Sequence, residues 1–463
     1  MKKVKIIATI GPSTDSEEMI EKLIRDGVDV FRLNFSHADH ETHKKIIEKI
    51  RKISKKLQTH TAIMQDISGP KIRIGEIDGI LQLKKNDTIK LAKTKIDNDQ
   101  KCLTISHPEI INQLKIGEYI FFADGSIRAE VVEKQQNHAI LEIKNDGILS
   151  SKKGVNFPNT KLNISAITEK DKNDLIFGAL NGVDIVAISF VNTAKDIKEA
   201  KNILKQNGSD AWVIAKIETK AAVENITEIA NEADGVMVAR GDLGIEIGVE
   251  KVPVIQKKII KKLNAYGKPV IVATQMLLSM VNSPFPTRAE VSDIANAVLD
   301  GADAVMLSDE TTVGKYPEKA IETLKNTILE SQNIYLYHKK YEAMDKDAIA
   351  ASVSDLCKGI KPKAIISFTA SGDTAKSIAK YRPDVPIFAV THSEKTLRRL
   401  SLVWGVKPYL QITKKLTPDS LIEELKKHLE KAESFKKGDK LILTMGSIIG
   451  KRGTTNMIRV LEK

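Results

Sequence analysis

Short apolar runs and amphipathic stretches alternate along the first part of the chain. Val4–Ile10 is an apolar-rich run closed by Gly11-Pro12, and a polar stretch with helical spacing begins near Ser16. Asp29–Leu33 is followed by helical periodicity from about Asp39 to Leu57, and Thr61–Ile67 is a third run. Strands that alternate with helices predict βα units and a parallel sheet. At Gly69-Pro70 the pattern changes. Residues 71–160 hold short strand-like runs (Thr88–Lys93, Tyr119–Phe122, Ile127–Glu133, Ala139–Lys144) separated by turn residues, with no convincing long helix. They predict an all-β insertion, a small barrel.

The βα rhythm returns near Ile167. Asp184–Phe190, Ala211–Ile217, Gly235–Ala239, Pro269–Thr274 and Ala304–Leu307 read as five more buried strands, each flanked by a helical stretch. Three strands before the insertion and five after it make eight, which points to a (β/α)8 barrel; an open doubly wound sheet is the alternative left by pattern alone. A boundary falls near residues 335–345. Beyond it Ala364–Phe368, Ile387–Val390 and Lys440–Met445 alternate with helices at about Asp373–Lys380 and Pro418–Lys431. The expected division is a barrel over 1–69 and 161–334, a β insertion over 70–160, and a C-terminal α/β domain over 345–463.

Composition narrows the class. With 463 residues, 42% hydrophobic and 29% charged, the chain reads as a globular protein of several domains. No apolar run is long enough to span a bilayer, and the Lys-led start is too short for a signal-peptide core. Two cysteines, Cys102 and Cys357, give neither a disulfide framework nor a thiolate metal site, which fits a reducing, cytoplasmic setting. The net charge of +12 reads as a Lys/Glu-rich surface, with attraction of anionic ligands next. Its lysines are dispersed among acids and aromatic content is 5%, which argues against nucleic acid.

Working residues of such barrels project from the C-terminal ends of the strands. Here those ends carry Arg32–His37, Asp66, Ser189, Lys216–Glu218, Asp242, Thr274-Gln275 and Ser308–Glu310. Lys216 and Glu218 are two apart, so on a strand they share a face. Alone they could be a structural ion pair. Asp242 from the next strand adds a second carboxylate with no His or Cys beside it, and such hard oxygen ligands suit Mg²⁺ or Mn²⁺. Gly241–Gly244 is expected to open a short helix whose free N–H groups could hold an anion. His37, His40 and His43 lack a matching fourth ligand for zinc and read as solvated helix residues. Gly446–Arg452 resembles a Walker A loop but is one residue short and lacks Ser/Thr after the lysine, so it is rejected.

Taken together, the strings Ile7–Pro12, Arg32–His37, Gly69–Arg73, Lys152–Asn156, Ala215–Glu218, Ala239–Gly244, Ala273–Met276 and Pro286–Glu290 resemble the pyruvate kinase family, in order and along the whole chain. The resemblance implies phosphoryl transfer from phosphoenolpyruvate to ADP, giving pyruvate and ATP, and a homotetramer. It implies that Arg32 grips the phosphoryl group and Lys216 neutralises its charge. Glu218 and Asp242 would hold the divalent metal, while Gly241, Asp242 and Thr274 position the substrate. Asn34, His37, Arg73 and Lys153 would approach the nucleotide, and Asp124 the nucleotide-bound metal. Thr274 and Ser308 could order a proton-relaying water.

The resemblance also locates a monovalent-cation position at Asn34, Ser36, Asp66 and Ile67. Lys71 stands where potassium-dependent members carry glutamate, and Ile67 where they carry threonine. The implied reading is that Lys71 replaces the ion and potassium is not required. Two departures matter. Val313 stands where a lysine is common, and Asp373 follows the phosphate-loop-like Thr369–Gly372, which disfavours an effector phosphate there. Rival readings are a carbon–carbon lyase acting on phosphoenolpyruvate or pyruvate, and an inactive metabolite sensor.

Overall fold

The computed structural model describes all residues except 96–100, 161, 163, 342–346, 414–416, 432–434 and 447–454. The rejected loop at Gly446–Arg452 therefore lies, beyond Gly446, outside the described residues, as does part of the expected boundary at 335–345.

Eight parallel strands close into a barrel: β1 (Lys5–Thr9), β2 (Val30–Asn34), β3 (Ala62–Asp66), β4 (Ile185–Ile188), β5 (Trp212–Ile217), β6 (Gly235–Ala239), β7 (Val270–Ala273) and β8 (Ala304–Leu307). Each pairs with its sequence neighbours, and β1 pairs with β8. The open-sheet alternative is thereby excluded. Side chains alternate across each strand. Ile6, Phe31, Leu33, Ile63, Val186, Val213, Val236, Val272 and Val305 face outward into the helical layer. Ile7, Val30, Met64, Ala187, Ile214, Met237 and Met306 fill the interior. On that same inward parity the strand ends switch to polar residues: Arg32 and Asn34, Asp66, Ser189, Lys216 and Glu218. A period of two thus puts an apolar plug below and a charged rim above.

The opposite end carries a repeated device. An aspartate precedes each even strand, and its carboxylate accepts the backbone N–H of the neighbouring odd strand. Asp29 accepts from Ile6, Asp184 from Ile63, Asp234 from Val213 and Asp303 from Val270, at 2.8–3.0 Å. All four also hold cations that tie in other layers, Asp234 through Lys201 at 3.1 Å. Lys2 and Lys5 pair with Asp29, Arg51 and Arg398 with Asp184, and Arg382 with Asp303.

The insertion between β3 and the helix Glu169–Leu180 is a six-stranded sheet and a two-stranded sheet that share one core, including Leu83, Leu91, Phe122, Leu141 and Leu149. Its entry is Gly69, with φ of +66°, where an added Cβ would lie 3.0 Å from both Ser189 and Phe190. Only glycine fits that approach. The Gly69 N–H donates to Asp171, a residue of the capping box that starts the helix Glu169–Leu180. After the barrel, a five-stranded sheet with helices forms the C-terminal α/β part. The helices Asp373–Lys380 and Pro418–Lys431 fall at their expected positions. Among the described residues no helix is long and apolar enough to cross a membrane.

Candidate active site

Two strands end earlier than their apolar runs. β4 stops at Ile188, so Ser189 and Phe190 turn out of the ladder, with Phe190 at φ +53°. β7 stops at Ala273, and Thr274 and Gln275 follow at φ +72° and +54°. A β-branched residue in the left-handed region is strained. Arg240 holds it there: its guanidinium donates to Thr274 O at 2.6 Å and pairs with Asp293 at 2.6 Å. Thr274 Oγ1 in turn accepts the Gly241 N–H at 2.9 Å, at the start of the expected short helix, Arg240–Ile247.

The centre of the rim is a buried charge cluster. The Lys216 ammonium donates to Ser189 Oγ at 2.7 Å and lies 3.0 Å from Glu218 Oε1 and 3.2 Å from Asp66 Oδ1. Ser189 passes its own hydrogen to Ile67 O at 2.6 Å. Arg32 Nε donates to Asp66 Oδ2 at 2.6 Å, and its Nη1 to Thr9 Oγ1 at 3.1 Å. Glu218 Oε2 accepts the Phe190 N–H at 2.7 Å, so the turn that ends β4 also orients this carboxylate.

Electrostatics sort these groups. Burial alone would lower the Lys216 pKa, but Asp66 and Glu218 outweigh it and hold the ammonium above its ordinary value. Burial would raise Asp66, yet Lys216 and Arg32 keep its carboxyl below the usual range. Glu218 is pushed up, first by burial and then by the like charge of Asp242, against the pull of Lys216. Two carboxylates that repel one another in a buried setting are a place where a divalent cation relieves a cost. Among the described residues no group of three or more His, Cys, Asp or Glu side chains could hold a metal. Glu218 and Asp242 would therefore supply part of a shell, the rest coming from water and substrate oxygens.

Of the nucleotide candidates, His37, Arg73 and Lys153 are exposed and Asn34 is half-buried at the rim. Arg73 Nη1 donates to Lys152 O at 3.0 Å, and Arg73 forms an isolated bridge with Gly154. The Lys153 carbonyl accepts the Ile74 N–H at 2.9 Å while its side chain faces solvent. Asn34 Oδ1 accepts the Ser36 N–H at 3.2 Å, and His37 is exposed. The half-exposed Lys71 ammonium lies 3.9 Å from Asp124 Oδ1, beside Gly154. Its ion pair is thus with the insertion, while Asp66 takes its charge from Arg32 and Lys216. Ser308 donates its backbone N–H to Glu310 at 2.8 Å.

His37 and His40 are exposed as the solvated reading expects; His43 departs from it. His43 is buried, stacked on Phe35 at 4.0 Å between ring centroids, and bonded to His37 O. His40 pairs with Asp174 at 2.7 Å. They pack the helix His40–Lys56 onto the barrel. Sequence reasoning gave Asp66 and Ser189 no part in holding Lys216, and it overlooked Arg240. Inward strand parity carries the signal for the first two; Arg240 leaves none in a single sequence.

Residues 1–321 match the family model described as "Pyruvate kinase, barrel domain", and residues 347–461 match "Pyruvate kinase, alpha/beta domain". The chain is similar to the pyruvate kinases of Staphylococcus aureus strains USA300 and NCTC 8325. Each is 43% identical over 472 aligned positions, covering 99% of this chain and 80% of the relative. In three dimensions it is similar to a crystal structure of a pyruvate kinase from Cryptosporidium parvum, with TM-score 0.94 and 34% identity over 100% of this chain and 96% of that one.

Proposed function

This chain belongs to the pyruvate kinase family, and from that premise we propose how its barrel mouth carries the reaction. The activity is glycolytic phosphoryl transfer from phosphoenolpyruvate to ADP, giving pyruvate and ATP. The observation that carries the assignment of residues is the Lys216 ammonium, kept protonated at the rim by Asp66 and Glu218. Phosphoryl transfer needs positioning and charge neutralisation more than covalent chemistry. Arg32 and Lys216 face the transferring group as two fixed cations, oriented in advance by Asp66 and Ser189.

The family generally uses a divalent metal; here Mg²⁺ or Mn²⁺ would sit on Glu218 and Asp242. Bound there, it neutralises charge on the phosphoryl and carboxylate oxygens. Thr274 Oγ1 accepts from Gly241 and keeps its own hydrogen free to orient a water. Thr274 and Ser308 order that water for protonation of the released enolate, since neither hydroxyl is a good acid. Gly241 and Asp242 help position the substrate. Arg73, Lys153, His37 and Asn34 approach ADP, and Asp124 faces the nucleotide's metal.

The division into 1–69 with 161–334, 70–160 and 345–463 is part of the same reading, with 70–160 closing over the nucleotide and excluding water. Lys71 brings its own positive charge in place of potassium. A homotetramer in the cytoplasm completes the proposal. A lactate-dehydrogenase-coupled assay tests it: pyruvate must appear only when phosphoenolpyruvate, ADP and a divalent cation are all present. Pyruvate released from phosphoenolpyruvate without ADP would be hydrolysis and would count against transfer to the nucleotide; no pyruvate at all would leave the lyase and the sensor.

A further inference from the structure

The turns that follow β7 and β8 are joined by one buried carboxylate. Glu310 is 1% exposed. Its Oε1 accepts the Leu277 N–H at 2.9 Å, and its Oε2 accepts the Ser308 N–H at 2.8 Å. Leu277 lies three residues past Thr274, and both it and Met276 are fully buried. A carboxylate out of water is costly unless hydrogen bonds hold it, and a backbone N–H bonded to a charged oxygen is one of the stronger kinds. The two oxygens of one carboxylate keep a fixed separation. These bonds therefore set how far the Thr274 turn lies from Ser308.

The support behind Glu310 is fixed as well. It sits in the four-residue helix Asp309–Thr312. The next residue, Thr311, donates its hydroxyl to Thr9 O at 2.8 Å and accepts the Thr9 N–H at 3.1 Å. The chain leaves this helix at Gly314, where an added Cβ would lie 2.3 Å from Glu310 O, so the close turn needs glycine. Lys315 then donates its N–H to Val281 O at 2.9 Å, a second tie to the segment after β7. Thr274 is thereby held from both flanks of its strand. Arg240, which follows β6, holds its carbonyl, and Glu310, which follows β8, holds the turn beyond it.

We propose that Glu310 is a positioning residue for protonation of the enolate: its carboxylate sets Thr274 and Ser308 at the separation that holds their shared water. Its own hydrogen bonds go to neither Arg32, Lys216 nor the metal carboxylates, which serve phosphoryl transfer. The inference rests on the reading of Thr274 and Ser308 as the water-ordering pair.

The test reads protonation and transfer separately. Exchange of the methyl hydrogens of pyruvate with solvent deuterium, in the presence of Mg²⁺ and ATP, runs the protonation step in reverse and is followed by proton NMR. Formation of ATP from phosphoenolpyruvate and ADP in a single turnover reads transfer. In Glu310→Gln the amide oxygen accepts one N–H while the NH₂ group faces the other, so one tie is lost. Loss of a hydrogen bond to a charged group corresponds to about tenfold or more. Exchange in Glu310→Gln should therefore fall about tenfold or more beyond any fall in transfer. Equal losses in the two rates would make Glu310 a structural residue only and overturn the proposal, as would parental exchange. If Glu310→Gln does not fold, Glu310→Asp decides by the same comparison, since it keeps the charge but is one methylene short of reaching both N–H groups. Thr274→Ala and Ser308→Ala are the separate controls. Parental exchange in both removes the water-ordering reading and the proposal with it. Slowed exchange in them beside equal losses in Glu310→Gln removes the proposal alone.

Discussion

Lys216 Nζ lies 3.2 Å from Asp66 Oδ1 across β4, which separates their two strands. Asp66 also receives Arg32 at 2.6 Å, so one buried carboxylate holds both cations of the rim. Asp66→Asn leaves two like charges facing a neutral amide. Breaking a buried pair costs about 3–5 kcal/mol. Denaturant melts should show a loss of that size, with transfer activity falling too. A parental midpoint would mean that Asp66 does not hold the cations.

The metal reading makes its own prediction. Glu218→Gln and Asp242→Asn should each raise the divalent-cation concentration for half-maximal activity and depress the maximal rate. Glu218→Gln should show the larger effect, because its carboxylate is the more buried of the two. Superimposable metal titration curves for parent and variants would exclude these carboxylates as ligands.

Lys71 bears on the monovalent cation. In tetramethylammonium buffer at constant ionic strength, added potassium should change parental activity little. Lys71→Glu should lose about 10- to 150-fold, the equivalent of one charge-assisted contact. Potassium should restore part of this, more so when Ile67→Thr is added. Tenfold activation of the parent by potassium would show that Lys71 does not stand in for the ion.

Stability should depend on pH through the first strand. Lys3 donates to Pro383 O at 2.8 Å and lies over Tyr337 and Trp404, and Lys5 donates to Val406 O at 2.5 Å. Burial lowers Lys3 to about 7 and Lys5 to about 8, against the attraction of Asp384 and Asp29 respectively. Between these values and 10.5 the unfolded chain binds more protons than the folded one, so this pair contributes a stability that rises with pH across that window. Lys3→Met should flatten the slope of unfolding free energy against pH from about 7 to 10. An unchanged slope would mean that Lys3 is charged in the folded protein.

The barrel was legible because buried parallel strands are apolar along their whole length, and eight such runs stand out. Strand ends were less so. Ser189 and Thr274 continue apolar runs in sequence, but their backbones leave the ladder, a turn imposed by contacts from Glu218 and Arg240 that no local pattern records. The strands Val406–Gln411 and Thr455–Glu462 were missed, since each mixes polar and apolar residues where one face stays exposed. His43 was misjudged because its stacking partner, Phe35, lies on another element. One signal was present and unread: Gly27-Val-Asp29, Gly182-Val-Asp184 and Gly301-Ala-Asp303 repeat at strand starts, with Ala233-Asp234 a degenerate fourth. The rim residues were found because hydrophilic groups at the ends of apolar strands have few other uses. The anchoring role of Asp66 needed the cross-strand register of β3, β4 and β5.

The central claim is that the buried Lys216 ammonium supplies charge to the transferring phosphoryl group. Lys216→Met keeps an unbranched side chain one atom shorter and removes the charge. The most direct measurement is single-turnover transfer from phosphoenolpyruvate to ADP by this variant at saturating Mn²⁺, with Mn²⁺ binding measured on the same sample. The account predicts a transfer rate lower by several orders of magnitude, on the scale of lost transition-state charge stabilisation, with Mn²⁺ still bound. A transfer rate within about tenfold of the parent would contradict it.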